Sequence, residues 1–384
     1  MNWLKDNFLK KTLKTPWLWL ALFIGIFLRF FVMMFGHNFD FESYCIVGEI
    51  AGNFKNVYAH TDRYNYGFIF FVIQGLFWNI SMLAAQYHLV VYRILFVILL
   101  TCTDIGIASY LRKHYSSTIA VIFFLNPISI VISGFHNQFD NIAVLVALLA
   151  LPHYNEKKEF TKDDFWFILF MSLSLIVKHI FFMIPFFLLV KKGLPLCKRA
   201  AYSFIPPIMF LLNFVPFIIG NEDAWNNVLN NVFLYRSNTN SPLLWPLYQL
   251  FNIPTTVCFP VYIAALVLIA LLFRKRTFEN IFFNYTICMF TFASAIVNQY
   301  LVIPIAAACV LDKTRLKYLY FVEGLGFVLL NFNEFNLAVH FENVLPPYLY
   351  HLILAPEPTF FIMTATMFAI FIINNIHYHN DAIV

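Results

Sequence analysis

The sequence predicts an all-α polytopic membrane protein with about 12 transmembrane helices, within a range of about 10 to 13. Of the 384 residues, 61% are hydrophobic and only 12% are charged, whereas about a quarter of the residues in a soluble domain are charged. Apolar runs of membrane-spanning length recur along the whole chain, and Lys and Arg residues collect between alternate runs. The net charge of +5 therefore reflects membrane topology and does not indicate a nucleic-acid partner.

The first apolar run, at 17–35, is predicted to be a retained helix that leaves the cytoplasm. It is longer than the apolar part of a signal peptide, and no small-residue cleavage site follows it. Four lysines precede it, as expected on the cytoplasmic side: Lys5, Lys10, Lys11 and Lys14.

The second apolar stretch, at 66–85, lies within a predicted first outer loop, 36–89. If it crossed the membrane, Arg112 and Lys113 would lie outside and every later loop would be inverted. We therefore interpret it as a re-entrant or interfacial segment that packs against the protein.

The remaining spans are predicted from apolar runs that alternate with polar segments. The run at 165–190 is too long for one span and contains Lys178 and His179, so it is divided into two short helices. Two further outer loops are predicted at 220–250 and 333–357. The other spans lie at 90–111, 117–134, 139–152, 200–219, 254–273, 279–296, 299–311, 316–332 and 358–376.

The distribution of basic residues predicts the orientation of these spans. In this arrangement, 19 of the 25 Lys and Arg residues lie in cytoplasmic segments, as the positive-inside rule requires. Both termini are then expected in the cytoplasm, and residues 1–384 form a single integral membrane domain. The six cysteines do not indicate a disulfide framework, because only Cys45 is expected in an outer loop.

Polar side chains from distant parts of the chain share the outer face in this topology, which indicates a polar cavity open to that side. Asp40 and Glu42 come directly after the first helix, where acids are costly unless they are solvated or functional. Ordinary solvated loop residues are the alternative for this pair. The other outer residues include Asp62, Arg63, His136, Asn137, Gln138, Asp140, Lys178, His179, Arg236, Asn298, Gln299, Tyr300, Glu334 and His340.

Several of these residues have a structural alternative. Asp140 could cap a helix after a tight turn, although this turn is more polar than capping requires. Lys178 could extend to the outer headgroups, and Arg29 is interpreted as a snorkelling residue of this kind. Asp104 and Glu323 lie within predicted spans and are interpreted as interhelical contacts.

The order of these features resembles the GT-C superfamily of membrane glycosyltransferases, which use sugars carried on polyprenyl or dolichyl phosphate. The resemblance covers most of the chain, and it depends on the ordered set because no single motif is highly specific. One departure is Gly67-Phe68, where many members have proline after the preceding tyrosine. The motifs are Asp40-Phe41-Glu42, Arg63-Tyr64-Asn65-Tyr66-Gly67, His136-Asn137-Gln138-Phe139-Asp140, Val177-Lys178-His179 and Asn298-Gln299-Tyr300.

The chemistry of sugar transfer from a lipid phosphate needs one base for the acceptor hydroxyl and cations for the departing phosphate. We expect Asp40 to be the base, and Glu42 to support it or to contact a sugar or metal. Lys178, His179 and Arg236 are candidates for the phosphate. His136, Gln138, Asp140, Asn298, Gln299, Tyr300, Arg63 and Tyr64 are candidates for binding sugar or acceptor. A single base predicts inversion at the anomeric carbon.

The resemblance implies a hexose donor, with mannose or glucose favoured, and a glycolipid, polysaccharide or protein acceptor. No cofactor is firmly predicted, although Mg²⁺ or Mn²⁺ could bind at Asp40 and Glu42. A bacterial cell membrane is favoured over the endoplasmic reticulum. The rival interpretations are a multi-pass transporter or lipid-linked sugar flippase, and a polysaccharide polymerase or ligase. The sequence shows no convincing internal repeat of the kind many transporters have.

Overall fold

The structure is a computed structural model that describes residues 16–234, 250–252, 254–293, 296–331, 346 and 357–381. Throughout these ranges the regular structure is helical, with no strand. Four helical stretches are long and apolar enough to cross a membrane, and two bent pairs raise that number to six. The predicted all-helical class is confirmed, and the length and composition of the apolar helices are compatible with a lipid bilayer. The four long stretches are Pro16–Met33, Ala85–His114, Leu196–Ile218 and Thr359–Ile376.

The described α-helices are numbered in chain order. The first nine are α1 (Pro16–Met33), α2 (Phe39–Gly52), α3 (Val57–His60), α4 (Phe68–Met82), α5 (His88–His114), α6 (Ser117–Phe124), α7 (Pro127–Val131), α8 (Asp140–Ala150) and α9 (Lys162–Val177). They are followed by α10 (Ile184–Val190), α11 (Leu196–Leu212), α12 (Val215–Ile218), α13 (Glu222–Asn227), α14 (Cys258–Phe273), α15 (Phe278–Phe292), α16 (Ile305–Leu311), α17 (Leu316–Leu330) and α18 (Glu357–Asp381). Short 3₁₀ or π turns include Ile132–His136, His179–Phe181, Val228–Phe233 and Asn298–Val302.

The predicted first outer loop is largely helical. α2 begins after Asn38, whose side-chain oxygen accepts a hydrogen bond from the backbone N–H of Asp40 at 3.2 Å, the usual role of an N-cap. α4 is apolar but has only 15 residues, and it lies against α2. A Cβ at Gly75 would lie 2.9 Å from the backbone of Ala51, so these two helices need a glycine at their contact. The segment at 66–85 thus packs on the protein.

Arg29 of α1 is fully buried and does not snorkel, which corrects the prediction. Its guanidinium forms an ion pair with Asp104 of α5 at 2.8 Å, and both side chains are 0% exposed. Asp104 also accepts hydrogen bonds from Ser129 at 3.1 Å, Ser133 at 2.7 Å and Asn141 at 2.6 Å. Such a buried pair is stable only when its remaining hydrogen-bonding groups are satisfied, and these donors satisfy the carboxylate. The pair and its hydrogen bonds join α1 and α5 to the segment at 129–141.

The segment between α7 and α8 changes direction within a few residues. A π turn ends at His136, and Asn137 takes the left-handed conformation with a φ of 57°. Arg93 of α5 donates a hydrogen bond to the Asn137 side chain at 3.2 Å and another to the Gly36 carbonyl. Asn137 is therefore held in its conformation by side-chain contacts, and His136 and Gln138 are directed toward α2.

The chain breaks at Lys178, as the sequence predicts. α9 ends at Val177, and Lys178 is extended, with φ −157° and ψ 127°. The helical segment that follows, His179–Val190, is bent by 114° from α9. At the other end of α9, Asp164 completes a capping box with Thr161 and pairs with Lys198 at 2.6 Å. The break therefore lies at the opposite end of α9 from this capped, ion-paired terminus.

Candidate functional site

A cavity of about 780 Å³ lies where the start of α2 meets the break after α9. Its polar wall comes from the start of α2, the segment before α4, the Lys178 break and the Asn298–Val302 turn. Its apolar wall comes from α11, the Val228–Phe233 turn, α14 and α15. The polar wall includes Asp40, Ser43, Asp62, Arg63, Asn65, Tyr66, Lys178, His179, Gln299 and Tyr300, and the apolar wall includes Phe210, Val232, Phe233, Phe259, Tyr262, Tyr285 and Met289.

Asp40 lines this cavity and is partly exposed. Its Oδ2 accepts hydrogen bonds from Gln138, through a short contact, and from Asn38 at 3.4 Å. Gln138 in turn accepts a hydrogen bond from the Tyr44 hydroxyl at 3.3 Å. Among the residues that the structure describes, no hydrogen bond to Oδ1 of Asp40 is recorded. One carboxylate oxygen is thus held in place, and the other is able to accept a proton or a hydrogen bond from a ligand.

His136 is almost fully buried, at 1% exposure, and lies behind the Asp40 wall. Its Nδ1 is 2.8 Å from the amide nitrogen of Asn38, which can only donate, and its Nε2 is 2.6 Å from the side-chain oxygen of Asn331. These contacts favour a neutral ring protonated at Nε2. His136 therefore supports Asn38, which in turn contacts Asp40 and, at 3.4 Å, Gln299.

Lys178 and Asp140 form a buried ion pair on the same wall. The ammonium lies 2.7 Å from Asp140 Oδ2, with side-chain exposures of 5% and 0%. The ring centroids of Tyr66, Phe139 and Tyr300 lie 5.0, 4.9 and 4.9 Å from the ammonium. Asp140 is the first residue of α8 and does not cap it, because its carboxylate binds Lys178. Phosphate binding and extension to the headgroups, the two roles predicted for Lys178, must each accommodate this ion pair.

The remaining predicted site residues separate into two groups. His179, Gln299, Tyr300 and Arg63 line the cavity, and Arg63 is exposed. Asn298 is partly exposed and is not among the lining residues. Arg236, Glu334 and His340 lie outside the described residues, as do residues 235–249 of the predicted outer loop 220–250 and nearly all of the predicted outer loop 333–357.

Tyr64, which is predicted to bind sugar or acceptor, does not line the cavity, whereas its neighbour Tyr66 does. Tyr64 is 2% exposed; its hydroxyl donates to the Gly67 carbonyl at 2.6 Å and accepts from the Phe71 N–H at 3.0 Å. Tyr66 instead lines the cavity. Burial raises the pKa of the Tyr66 phenol, and the nearby Lys178 ammonium opposes that shift. Tyr66 is therefore a neutral hydrogen-bonding group at physiological pH.

Glu42 is exposed and does not line the cavity with Asp40. Successive helical residues are about 100° apart, so two residues separated by two positions in α2 point in different directions. The two carboxylates are therefore not directed at a common point. Among the described residues there is no group of three or more His, Cys, Asp or Glu side chains that could hold a metal ion.

Sequence reasoning did not select Asn38, Ser43, Tyr44 or Asn331 as site residues. Asn38 could have been found from its position, because an Asn before an apolar helix that starts with acids is a typical N-cap. Asn331 gives no such signal, since it reaches His136 only through the packing of α17. The side chains that hold Asp40 in place thus depend on contacts between distant segments of the chain.

Gly67→Ala is expected to destabilise the cavity wall. A Cβ at this position would collide with the backbone carbonyl oxygen of Ile176, two residues before the Lys178 break. Overpacking of this kind typically costs about 1 to 3 kcal/mol, and it would move Tyr66 away from Lys178. The measurement is the apparent melting temperature of the detergent-purified protein, which should fall by several degrees.

The matched control is Gly326→Ala in α17. There the nearest atom to a new Cβ is a side-chain methyl of Thr359 at 3.6 Å, an ordinary van der Waals distance, and helix propensity favours alanine. This variant should melt at or slightly above the wild-type temperature. Equal melting temperatures for the two variants would contradict the close approach at Gly67.

A scan against models of protein families finds no match to this chain, and a search of curated proteins finds none either.

Proposed function

We propose that this protein is a membrane glycosyltransferase that transfers one hexose, mannose or glucose, from a polyprenyl-phosphate carrier to an acceptor on the outer face. The observation that carries the proposal is the geometry of Asp40. This carboxylate lines a cavity of about 780 Å³ with polar and apolar walls, and one of its oxygens is oriented by Gln138 and Asn38. A positioned base beside a cavity for an amphipathic ligand fits transfer from a lipid carrier.

In the proposed reaction, Asp40 takes the proton of an acceptor hydroxyl on its Oδ1. The acceptor oxygen bonds to the anomeric carbon as the bond from that carbon to the phosphate oxygen breaks. The electron pair leaves with the polyprenyl phosphate, which is a good leaving group, so no second carboxylic acid is required, unlike glycoside hydrolysis. One displacement inverts the anomeric configuration. The acceptor is a glycolipid, a polysaccharide or a protein.

The proposed architecture is GT-C-like, with about 12 spans and both termini in the cytoplasm, in a bacterial cell membrane by preference. Beyond the long helices, it requires shorter apolar helices to cross or partly cross the membrane. Those available include Asp140–His153, Phe259–Phe273 and Asn298–Leu311. The proposal keeps Phe68–Met82 as a segment that packs on α2 and does not cross.

The test is a transfer assay on detergent-purified protein with labelled polyprenyl-phosphate mannose and polyprenyl-phosphate glucose, and a panel of lipid and glycan acceptors. Formation of a glycosylated acceptor with the inverted anomeric configuration is the expected result. A product with retained configuration would remove the single-base mechanism. Transfer only from diphosphate-linked glycans would favour a polymerase or ligase instead.

The second candidate function is a transporter or lipid-linked sugar flippase. The break at Lys178, with its 114° bend, favours it, because broken helices form the binding sites of many transporters. Reconstituted liposomes distinguish the two functions. Movement of labelled lipid-linked sugar across the bilayer, with no transfer to any acceptor, would replace the glycosyltransferase proposal.

A further inference from the structure

Among the described residues, Lys178 and Arg63 are the lysine and the arginine that line the cavity, and they differ in whether their charge is paired. The Lys178 ammonium is buried, paired with Asp140 at 2.7 Å, and surrounded by three aromatic rings whose centroids lie within 5.0 Å. An aromatic cage of this kind commonly binds a cation, and here the protein's own lysine fills it. The charge of Lys178 is thus already compensated before any ligand enters.

The charge of the Arg63 guanidinium, by contrast, is not compensated within the described part of the chain. Arg63 is exposed, and its guanidinium carbon lies 4.6 Å from the centroid of the Phe39 ring, which also lines the cavity. Within the part of the chain that the structure describes, the guanidinium has no recorded hydrogen bond or ion pair. Its N–H donors are therefore available to an anion, and an arginine can bind a phosphate through two parallel hydrogen bonds.

We infer that Arg63 is the cavity residue that contacts the anionic group of the ligand, and that Lys178 is a positioning residue that fixes Tyr66 and Tyr300 in the cavity wall. The inference rests on the proposed function for the identity of the anion, the phosphate of the lipid carrier. These roles differ from those predicted from the sequence, in which Lys178 binds phosphate and Arg63 binds sugar or acceptor.

The physical reason lies in the Asp140 carboxylate. Its Oδ1 is buried without a hydrogen-bond partner among the described residues, so Lys178 is its main compensation. A phosphate that drew Lys178 away would leave a buried carboxylate uncompensated, which is costly. Lys178 instead joins three separate parts of the chain: α8 through Asp140, the segment before α4 through Tyr66, and the Asn298–Val302 turn through Tyr300.

The experiment compares the binding of a short-chain prenyl phosphate with that of the uncharged prenol to purified protein, without any transfer step. Arg63→Gln should weaken binding of the phosphate by about 10- to 100-fold, the usual effect of losing a hydrogen bond to a charged group. Binding of the prenol should be unchanged. Lys55→Gln is the matched control, because Lys55 is an exposed cation outside the cavity, and it should bind like the wild type.

Lys178→Met should retain most of the phosphate preference but lower kcat in the transfer assay, whereas Arg63→Gln should mainly raise KM for the donor. Lys178→Arg should recover part of the lost kcat, because it preserves the pairing with Asp140. If Lys178→Met fails to fold, the double variant Lys178→Met/Asp140→Asn removes both buried charges and serves in its place.

Loss of phosphate binding in the Lys178 variants, with normal binding in Arg63→Gln, would overturn the inference. A wild-type protein that shows no preference for the phosphate over the prenol would instead count against the proposed function, and the inference would fall with it.

Discussion

Asp40→Asn is expected to lower the rate of sugar transfer by about a thousandfold, within the 10²- to 10⁴-fold range of general base catalysis. Asparagine is nearly isosteric with aspartate, and its side-chain oxygen can still accept the hydrogen bonds from Gln138 and Asn38. It cannot take a proton from the acceptor. The fold and the melting temperature should therefore remain close to those of the wild type, while the single-turnover rate of transfer falls.

The matched control for this variant is Glu49→Gln. Glu49 is an exposed acid on the same helix, α2, and it does not line the cavity. It should transfer sugar at the wild-type rate. A folded Asp40→Asn protein that transfers sugar as fast as the Glu49→Gln control would remove Asp40 from the role of base.

Asp104→Ala is expected to have the largest effect on stability. It would leave the fully buried Arg29 guanidinium without its counter-ion, keeping only hydrogen bonds to the Gly25 and Phe124 carbonyls and the Ser129 hydroxyl. Breaking a buried ion pair typically destabilises a protein by about 3 to 5 kcal/mol. The readouts are the yield of monodisperse protein and its apparent melting temperature, and both should fall sharply.

The double variant Arg29→Met/Asp104→Ala tests the cause of this loss. It removes both charges, so it should recover part of the stability of the single variant. Lys158→Ala, which changes an exposed charge, should remain within about 0.5 kcal/mol of the wild type. A double variant less stable than Asp104→Ala would show that the lost stability does not come from an uncompensated arginine.

Asp40 and Glu42 illustrate how local geometry separates residues that the sequence treats alike. Both are acids just beyond the first helix, and the sequence offers no conformation for the segment that contains them. Once the segment forms α2, the helical rotation directs Asp40 into the cavity and Glu42 to the surface. The periodicity of a helix determines which of the two acids faces the cavity, but it can be applied only once the position of the helix N-terminus is known.

Lys178 and Arg29 show a different reason why sequence reasoning was incomplete. In the sequence both are lone cations in apolar surroundings, for which extension to the headgroups is a reasonable interpretation. Their carboxylate partners, Asp140 and Asp104, are 38 and 75 positions away along the chain. Pairing across such separations depends on how the helices pack, and single-sequence patterns contain no information about it.

The sequence by itself determined the all-helical class, the positions of the apolar runs and the break at Lys178, because hydropathy and periodicity act locally along the chain. It also selected most of the polar residues that line the cavity. Tertiary structure alone decided which of them meet: Asp40 is held by Gln138 and Asn38, and Lys178 is neutralised by Asp140. The physical reason is that the charge and orientation of a buried side chain are set by its neighbours in space, and helix packing chooses those neighbours.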